Sequence, residues 1–247
     1  MAIANLSFMS DTLAQQVDAT VILPDNVDSA NPPAVWYFLP GLKFTAQSFA
    51  TNIPFQRHLA GSNVALVIAS LPYSWYFNNQ FERNFFDFTA LELPQKIESM
   101  FHVRSDRAGR FVGGCSMGGF GSLKTALTFP ERFAGVTAFS PACDFTDRGF
   151  VDGHWELHTH LSQGLLPEDD VYDLARKVFG EDASREQAPA VWVTCGTEDP
   201  FLAHTQRLEK ELHSLGVQPE VVYAPGPHAP AYWDTHFPEA LAWVNAR

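Results

Sequence analysis

Residues 113–127 read GGCSMGGFGSLKTAL, with five glycines in the first nine positions and a helix-like stretch directly after them. The run before it, GRFVG from Gly109 to Gly113, has the short apolar character of a buried strand. Between the two lies Gly114-Cys115-Ser116-Met117-Gly118, which fits G-x-S-x-G. A strand that hands over to a helix this quickly needs a very tight turn, and its central serine takes a strained, positive-φ backbone. Residues two before and two after that serine approach each other and the neighbouring strands too closely for a Cβ. Gly114 and Gly118 meet that demand, and Gly119 adds clearance. A phosphate-cradling loop is excluded, because it needs Lys-Ser/Thr after its glycine and this chain has Gly119-Phe120. The glycines do not make the dinucleotide pattern G-x-G-x-x-G either. On this stretch alone, a turn that merely lets a helix pack close to a strand stays open.

Partners for the serine decide between the readings. A serine hydroxyl is a weak nucleophile until a histidine takes its proton and an acid fixes that histidine. Behind a nucleophile elbow, the acid and then the histidine follow the serine, each after a later strand. CGTEDP follows the apolar run AVWVTC, and PGPH follows EVVY. Both fall at strand C-terminal ends, where an open α/β sheet places its ligands. Asp199 stands 83 residues after Ser116 and 29 before His228, which leaves room for the intervening strand and helix. Ser116, Asp199 and His228 are therefore the candidate catalytic residues, with Glu198 and Asp144 as alternative acids. His58, His102, His204 and His213 fall in helices or strand approaches and are read as surface or satisfied core residues. His154, His158 and His160 cluster near Glu156, but H-E-x-x-H and an obvious remaining ligand are missing, so no metal and no cofactor is expected.

The rest of the chain alternates strand-like and helix-like stretches in the manner of a mostly parallel sheet flanked by helices. Strands are expected at 17–23, 34–39, 65–69, 109–113, 133–139, 190–195 and 220–223. Helices are expected at 95–101 behind Pro94, after the opening stretch, and at 202–215, where Gly216 marks the stop. The long, aromatic, partly acidic segment 144–179 breaks this rhythm and reads as a small cap inserted over the ligand end of the sheet. A plain crossover helix with a long loop is its alternative. Neither repeats nor polar linkers divide the 247 residues, so a single domain is expected.

Composition narrows the partners. Sixteen Lys plus Arg against twenty-eight Asp plus Glu give −12, which would repel a nucleic-acid backbone or an anionic bilayer. No window approaches the roughly 18 consecutive apolar residues of a membrane span. The N-terminus lacks a signal-peptide pattern, and three cysteines without metal spacing argue against a disulfide framework. The expectation is a cytoplasmic protein with a small-molecule ligand, neither nucleic acid nor membrane as partner, and room for a homo-oligomer.

The run DRAGRFVGGCSMGGFGSLKTALTFPERFAGVTAFSPACD resembles the putative-esterase group of α/β-hydrolases. It is most similar there to tributyrin-esterase-type carboxylesterases, with esterase D (S-formylglutathione hydrolase) and the mycolyltransferases more distant. Ser74-Trp75-Tyr76, Glu92-Leu93-Pro94, CGTEDPFL and PGPHAPAYWDTHFPEALAWV carry the likeness further, over roughly residues 15 to 245. The resemblance implies an α/β-hydrolase fold and a serine carboxylesterase, with Ser116 as nucleophile, Asp199 as orienting acid and His228 as general base. It also implies an oxyanion hole made by the backbone N–H groups of Met117 and Leu42. Many relatives carry His-Gly where this chain has Pro40-Gly41. Proline lacks an N–H, but the implied donor is Leu42. Phe44, Trp75, Tyr76 and Trp155 lie on segments expected near the pocket, although 13% of the chain is aromatic and most such rings pack cores. Short-chain acyl or aryl esters, acetylated sugars and hydroxycinnamate esters all fit. A thioesterase of the S-formylglutathione hydrolase kind, an acyltransferase and a non-catalytic binding protein of the same fold are the alternatives.

Overall fold

The computed structural model describes residues 1–25, 27–78, 83–161, 165–181 and 183–247, and at 158 and 159 the backbone only. The chain opens with a hairpin of β1 (Ala2–Ser10) and β2 (Gln15–Leu23). Then come β3 (Ala34–Leu39), α1 (Ala46–Asn52), α2 (Phe55–Leu59) and β4 (Val64–Ala69). Next, α3 (Phe85–Asp87) runs through a wider π turn at Phe88–Glu92 into α4 (Leu93–Met100). The elbow joins β5 (Arg110–Cys115) to α5 (Met117–Thr128), followed by β6 (Gly135–Phe139). Helices α6 (Arg148–Asp152), α7 (Trp155–His160) and α8 (Val171–Phe179) follow. The chain ends with β7 (Ala190–Gly196), α9 (Leu202–Ser214), β8 (Glu220–Ala224) and α10 (Pro230–Asn245).

Among the described residues, eight strands form one sheet in the order β1-β2-β4-β3-β5-β6-β7-β8. The pairs β1–β2 and β2–β4 are antiparallel, and every later pair is parallel. Strands β3 to β7 are almost wholly buried because helices cover both faces of the sheet. One face packs α4, α5, α8 and α9 around Leu93, Phe120, Leu174 and Leu208. The other packs α1, α2 and α10 around Phe49, Phe55 and Phe237. No described helix is long and apolar enough to cross a membrane.

Besides α1, α2 and α10, which are not among the expected helices, strand β1 and the helix at Pro94 depart from the sequence expectation. Strand β1 is missing from it, because only Ala4, Leu6 and Phe8 pack on the core while Ile3 and Met9 on the opposite side are 48% and 60% exposed. Those two apolar residues interrupt the alternation that announces a half-buried strand. The helix expected behind Pro94 begins upstream, at Phe85, and Pro94 lies within its later part. Proline offers no N–H to the carbonyl one turn back, and the wider π turn falls directly before it.

The π turn also presents Glu92 to the hairpin. Its carboxylate accepts the Ser10 hydroxyl at 2.7 Å and the N–H groups of Asp11 and Thr12 at 2.9 and 3.0 Å. The Glu-Leu-Pro sequence is thus a clasp that closes the β1–β2 turn onto α4. Burial pushes the Glu92 carboxyl pKa up, but the bonds from Thr12, Ser10 and Asp11 outweigh it and hold the group below the ordinary carboxylate value.

A carboxyl depressed on folding stabilises fully above its unfolded pKa, and that stability is lost as pH falls through the folded value. Glu92→Gln should therefore unfold in urea with a loss of about 2 kcal/mol at pH 7. The gap to wild type should narrow as the solution is acidified below the unfolded carboxylate pKa of about 4.3. A gap unchanged across that acid range would show that ionised Glu92 does not hold the hairpin.

Candidate active site

Strand β5 lies between β3 and β6 in the middle of the sheet, and the turn at its C-terminal end carries Ser116. The serine has φ +57° and ψ −119°, the strained conformation that the sequence predicts. It is over-determined by its neighbours: its N–H donates to Phe139 O at 2.8 Å, and its carbonyl accepts from Phe120 and Ala142 at 3.1 and 3.2 Å. A Cβ on Gly114 would stand 2.4 Å from Gly118 O, and one on Gly118 would stand 1.9 Å from Leu39 O. Both contacts are with main chain, so no side-chain adjustment could relieve them.

Met117 is the first residue of α5, so its N–H has no partner within the helix and lies at the positive end of the helix dipole. Across from it, Gly41 to Phe44 make a turn closed by Phe44 N–H to Gly41 O at 3.3 Å, with Lys43 at φ +73°. A Cβ on Gly41 would lie 3.4 Å from Ser116 Cβ and 3.8 Å from the Phe44 ring. The Leu42 turn therefore flanks the serine, with Phe44 beside it. Pro40 contributes its carbonyl, which accepts the buried Tyr76 hydroxyl at 3.0 Å.

Asp199 and His228 come from the loops after β7 and β8. His228 Nε2 lies 2.9 Å from Ser116 Oγ, and its Nδ1 lies 2.8 Å from Asp199 Oδ2. The other Asp199 oxygen accepts the Phe201 N–H at 2.8 Å, so the buried carboxylate is fixed at both ends. Phe201 and Trp233 meet the imidazole edge to face at 4.9 and 5.2 Å, a wall that the sequence reading missed because both rings are ordinary helix-boundary aromatics. Neither alternative acid points at His228: Asp144 pairs with Arg207, and Glu198 accepts the Gly226 N–H. Ser116, Asp199 and His228 are thus brought together, and such a chain can pass a proton from the hydroxyl to a histidine whose far nitrogen is held by an anion.

Segment 144–179 has two parts. Helix α8 packs against α5 and α9 as a member of the helix layer. Before it, α6 lies against the site: Phe150 contacts Trp75 at 5.6 Å, Phe201 at 5.1 Å and His204 at 5.3 Å. Trp75 is buried, with its main-chain N–H donating to Met117 Sδ at 3.3 Å, whereas Trp155 at the start of α7 is 72% exposed. His154 bonds the Phe150 carbonyl, and His160 contacts Asp169 at 3.3 Å while stacking on Phe77. The His158 side chain lies outside the described residues. Among those described, no group of His, Cys, Asp and Glu could hold a metal ion.

A family model described as putative esterase matches residues 10–244. An acetyl esterase of Caldicellulosiruptor saccharolyticus is 24% identical, over 99% of this chain and 98% of its own length. The crystal structure of an S-formylglutathione hydrolase from Staphylococcus aureus superposes with a TM-score of 0.87 at 25% identity, covering 99% of both chains. A fluorophosphonate-binding serine hydrolase of the same organism shares the fold with a TM-score of 0.84, 24% identity and 98% coverage of both chains.

The buried His204 ties this region together. Its Nδ1 accepts the Asp144 N–H at 3.2 Å, and its Nε2 faces Asp147, the N-cap of α6, at 3.4 Å. Burial pushes its pKa below the usual value, with Asp147 and Asp144 opposing the shift. A neutral-favouring histidine stabilises fully above its unfolded pKa of about 6.5, and that stability is lost as pH falls to the folded value. His204→Asn, whose side-chain carbonyl can replace Nδ1 as acceptor, should flatten the fall in urea midpoint between pH 7 and about pH 5. An equal fall in both proteins would remove His204 as the acid-sensitive element.

Proposed function

The chain belongs to the putative-esterase family and is a carboxylic ester hydrolase, and we propose that it cleaves short-chain acyl or aryl esters through an acyl-enzyme on Ser116. The observation that carries this reading is the continuous chain from Asp199 Oδ2 to His228 Nδ1 at 2.8 Å and from His228 Nε2 to Ser116 Oγ at 2.9 Å. Ser116 Oγ attacks the ester carbonyl while His228 takes its proton, and Asp199 stabilises the imidazolium. The tetrahedral oxyanion sits between the N–H groups of Met117 and Leu42, each such donor contributing about 2.7–4 kcal/mol. His228 then protonates the departing alcohol, and water repeats the sequence on the acyl-enzyme with His228 again as base. No step calls for a cofactor.

Phe44 lies beside Gly41 and Trp75 beside Met117, next to the two proposed oxyanion donors, and we read α6 and α7 as a cap near them. Such an aromatic surround favours small acyl or flat aryl groups, including acetylated sugars and hydroxycinnamate esters. The likeness to an S-formylglutathione hydrolase favours a second reading, a thioesterase. Three unpaired, buried cysteines fit a reducing compartment, and we place the protein in the cytoplasm.

On p-nitrophenyl butyrate, Asp199→Asn should lower kcat about ten-thousand-fold while leaving the fold intact, and Ser116→Ala should fall at least as far. Hydrolysis by Ser116→Ala at the wild-type rate would refute the assignment. Turnover of a butyrate ester and of an acyl-glutathione should be compared under matched conditions; a higher kcat/KM on the ester supports the esterase reading, and the reverse supports the thioesterase.

A further inference from the structure

His228 is carried by Ala224-Pro225-Gly226-Pro227, the link from β8 to α10. Proline has no N–H, so between Ala224 and His228 only Gly226 can donate a main-chain hydrogen bond. That N–H goes to the Glu198 carboxylate, through Oε2. The return contact is also present: Glu198 N–H donates to Gly226 O at 3.2 Å, and the preceding Thr197 N–H donates to Ala224 O at 2.9 Å. The second Glu198 oxygen accepts the Thr197 hydroxyl at 3.0 Å, which orients the carboxylate.

The surroundings leave this peptide little freedom. Gly226 has φ +151°, and a Cβ there would stand 2.5 Å from the Tyr232 ring. A Cβ on Gly196 would stand 2.0 Å from Gly226 O, so the two loops touch main chain to main chain. Adjacent carboxylates thus point to different tasks. Asp199 reaches the imidazole itself, while Glu198 grips the peptide two residues before it.

We propose that Glu198 is a positioning residue for the general base. Its carboxylate, which accepts the one main-chain N–H of the Pro-Gly-Pro link, sets the main-chain position of His228 and so the reach of Nε2 to Ser116 Oγ. The inference rests on the proposed roles of Ser116 and His228. A displacement of about 1 Å at a reacting group costs on the order of a hundredfold in rate, so a loosened link should appear in kcat.

The test measures kcat, KM, pH dependence of kcat and thermal midpoint for Glu198→Ala, Glu198→Gln and Glu198→Asp on p-nitrophenyl butyrate, with His228→Ala as reference. Glu198→Ala should lose between about tenfold and a hundredfold in kcat with KM nearly unchanged. Glu198→Gln keeps an acceptor oxygen at the same reach and should restore kcat to within about threefold of wild type, with the pH profile unmoved. Glu198→Asp, one carbon shorter, should fall below Gln; this order decides the matter even where the alanine variant does not fold. Wild-type kcat in Glu198→Ala would overturn the proposal. So would a glutamine variant that is less active than the aspartate one and has a displaced acid limb, since that pattern marks a through-space charge. Full activity in His228→Ala would instead overturn the underlying assignment of the base, whatever Glu198 does.

Discussion

The carbonyl oxygen of Leu39 occupies the space that a Cβ on Gly118 would need, and the Gly118 carbonyl does the same to Gly114. This double approach of main chain across β3, β5 and α5 is possible because Leu39 and Gly114 are register partners in the parallel sheet. With strand and helix so close, the intervening serine is left with a backbone conformation that costs about 1–3 kcal/mol for a residue bearing a side chain. Three main-chain hydrogen bonds to β6, the loop after it and α5 hold it there. The strain is thus borne by the most deeply buried part of the sheet, and the hydroxyl it lifts out is met by loops from β7 and β8.

Around that point, α6, α7 and the helix layer are joined by contacts of two kinds. Rings run from His228 through Phe201 and Phe150 to Trp75, whose main-chain N–H returns to Met117 Sδ. A buried ion pair adds the second link: Lys124 on α5 meets Asp169 at 2.5 Å and the Tyr76 carbonyl at 3.2 Å, and His160 of α7 also faces Asp169. Burial pushes the Lys124 pKa down. It also drives Asp169 upward, but His160 and Lys124 outweigh it and hold that carboxyl below its usual value. Such buried pairs add little net stability, yet breaking one leaves a charge stranded, so they favour one docking of a segment over others. The same helix therefore begins directly after Ser116 and holds the Asp169 segment further along.

Much of this was legible in the chain because the chemistry demands rare local patterns. Gly114, Ser116 and Gly118 announce a turn that few other sequences could form, and Asp199 and His228 each follow a run of buried strand residues. Asp144, Glu198 and Asp199 could be separated only in space, since all three stand near strand ends and differ in what they touch: Arg207, Gly226 and His228. Strand β1 escaped because Ile3 and Met9 face solvent, and the start of α3 escaped because Pro94 tolerates a π turn ahead of it. Aromatic residues were the least legible: Trp75 and Trp155 look alike in sequence, yet one is buried against Met117 and the other mostly exposed.

The central claim is that a covalent acyl group passes through one serine. Rapid acid quenching of the protein during turnover of p-nitrophenyl acetate, followed by peptide mass spectrometry, reads this directly. The account predicts an acetyl group on the peptide containing Ser116, accumulating in Glu198-intact protein and missing from Ser116→Ala. Acetylation at another residue, or undiminished turnover without any acylated Ser116 peptide, would contradict it.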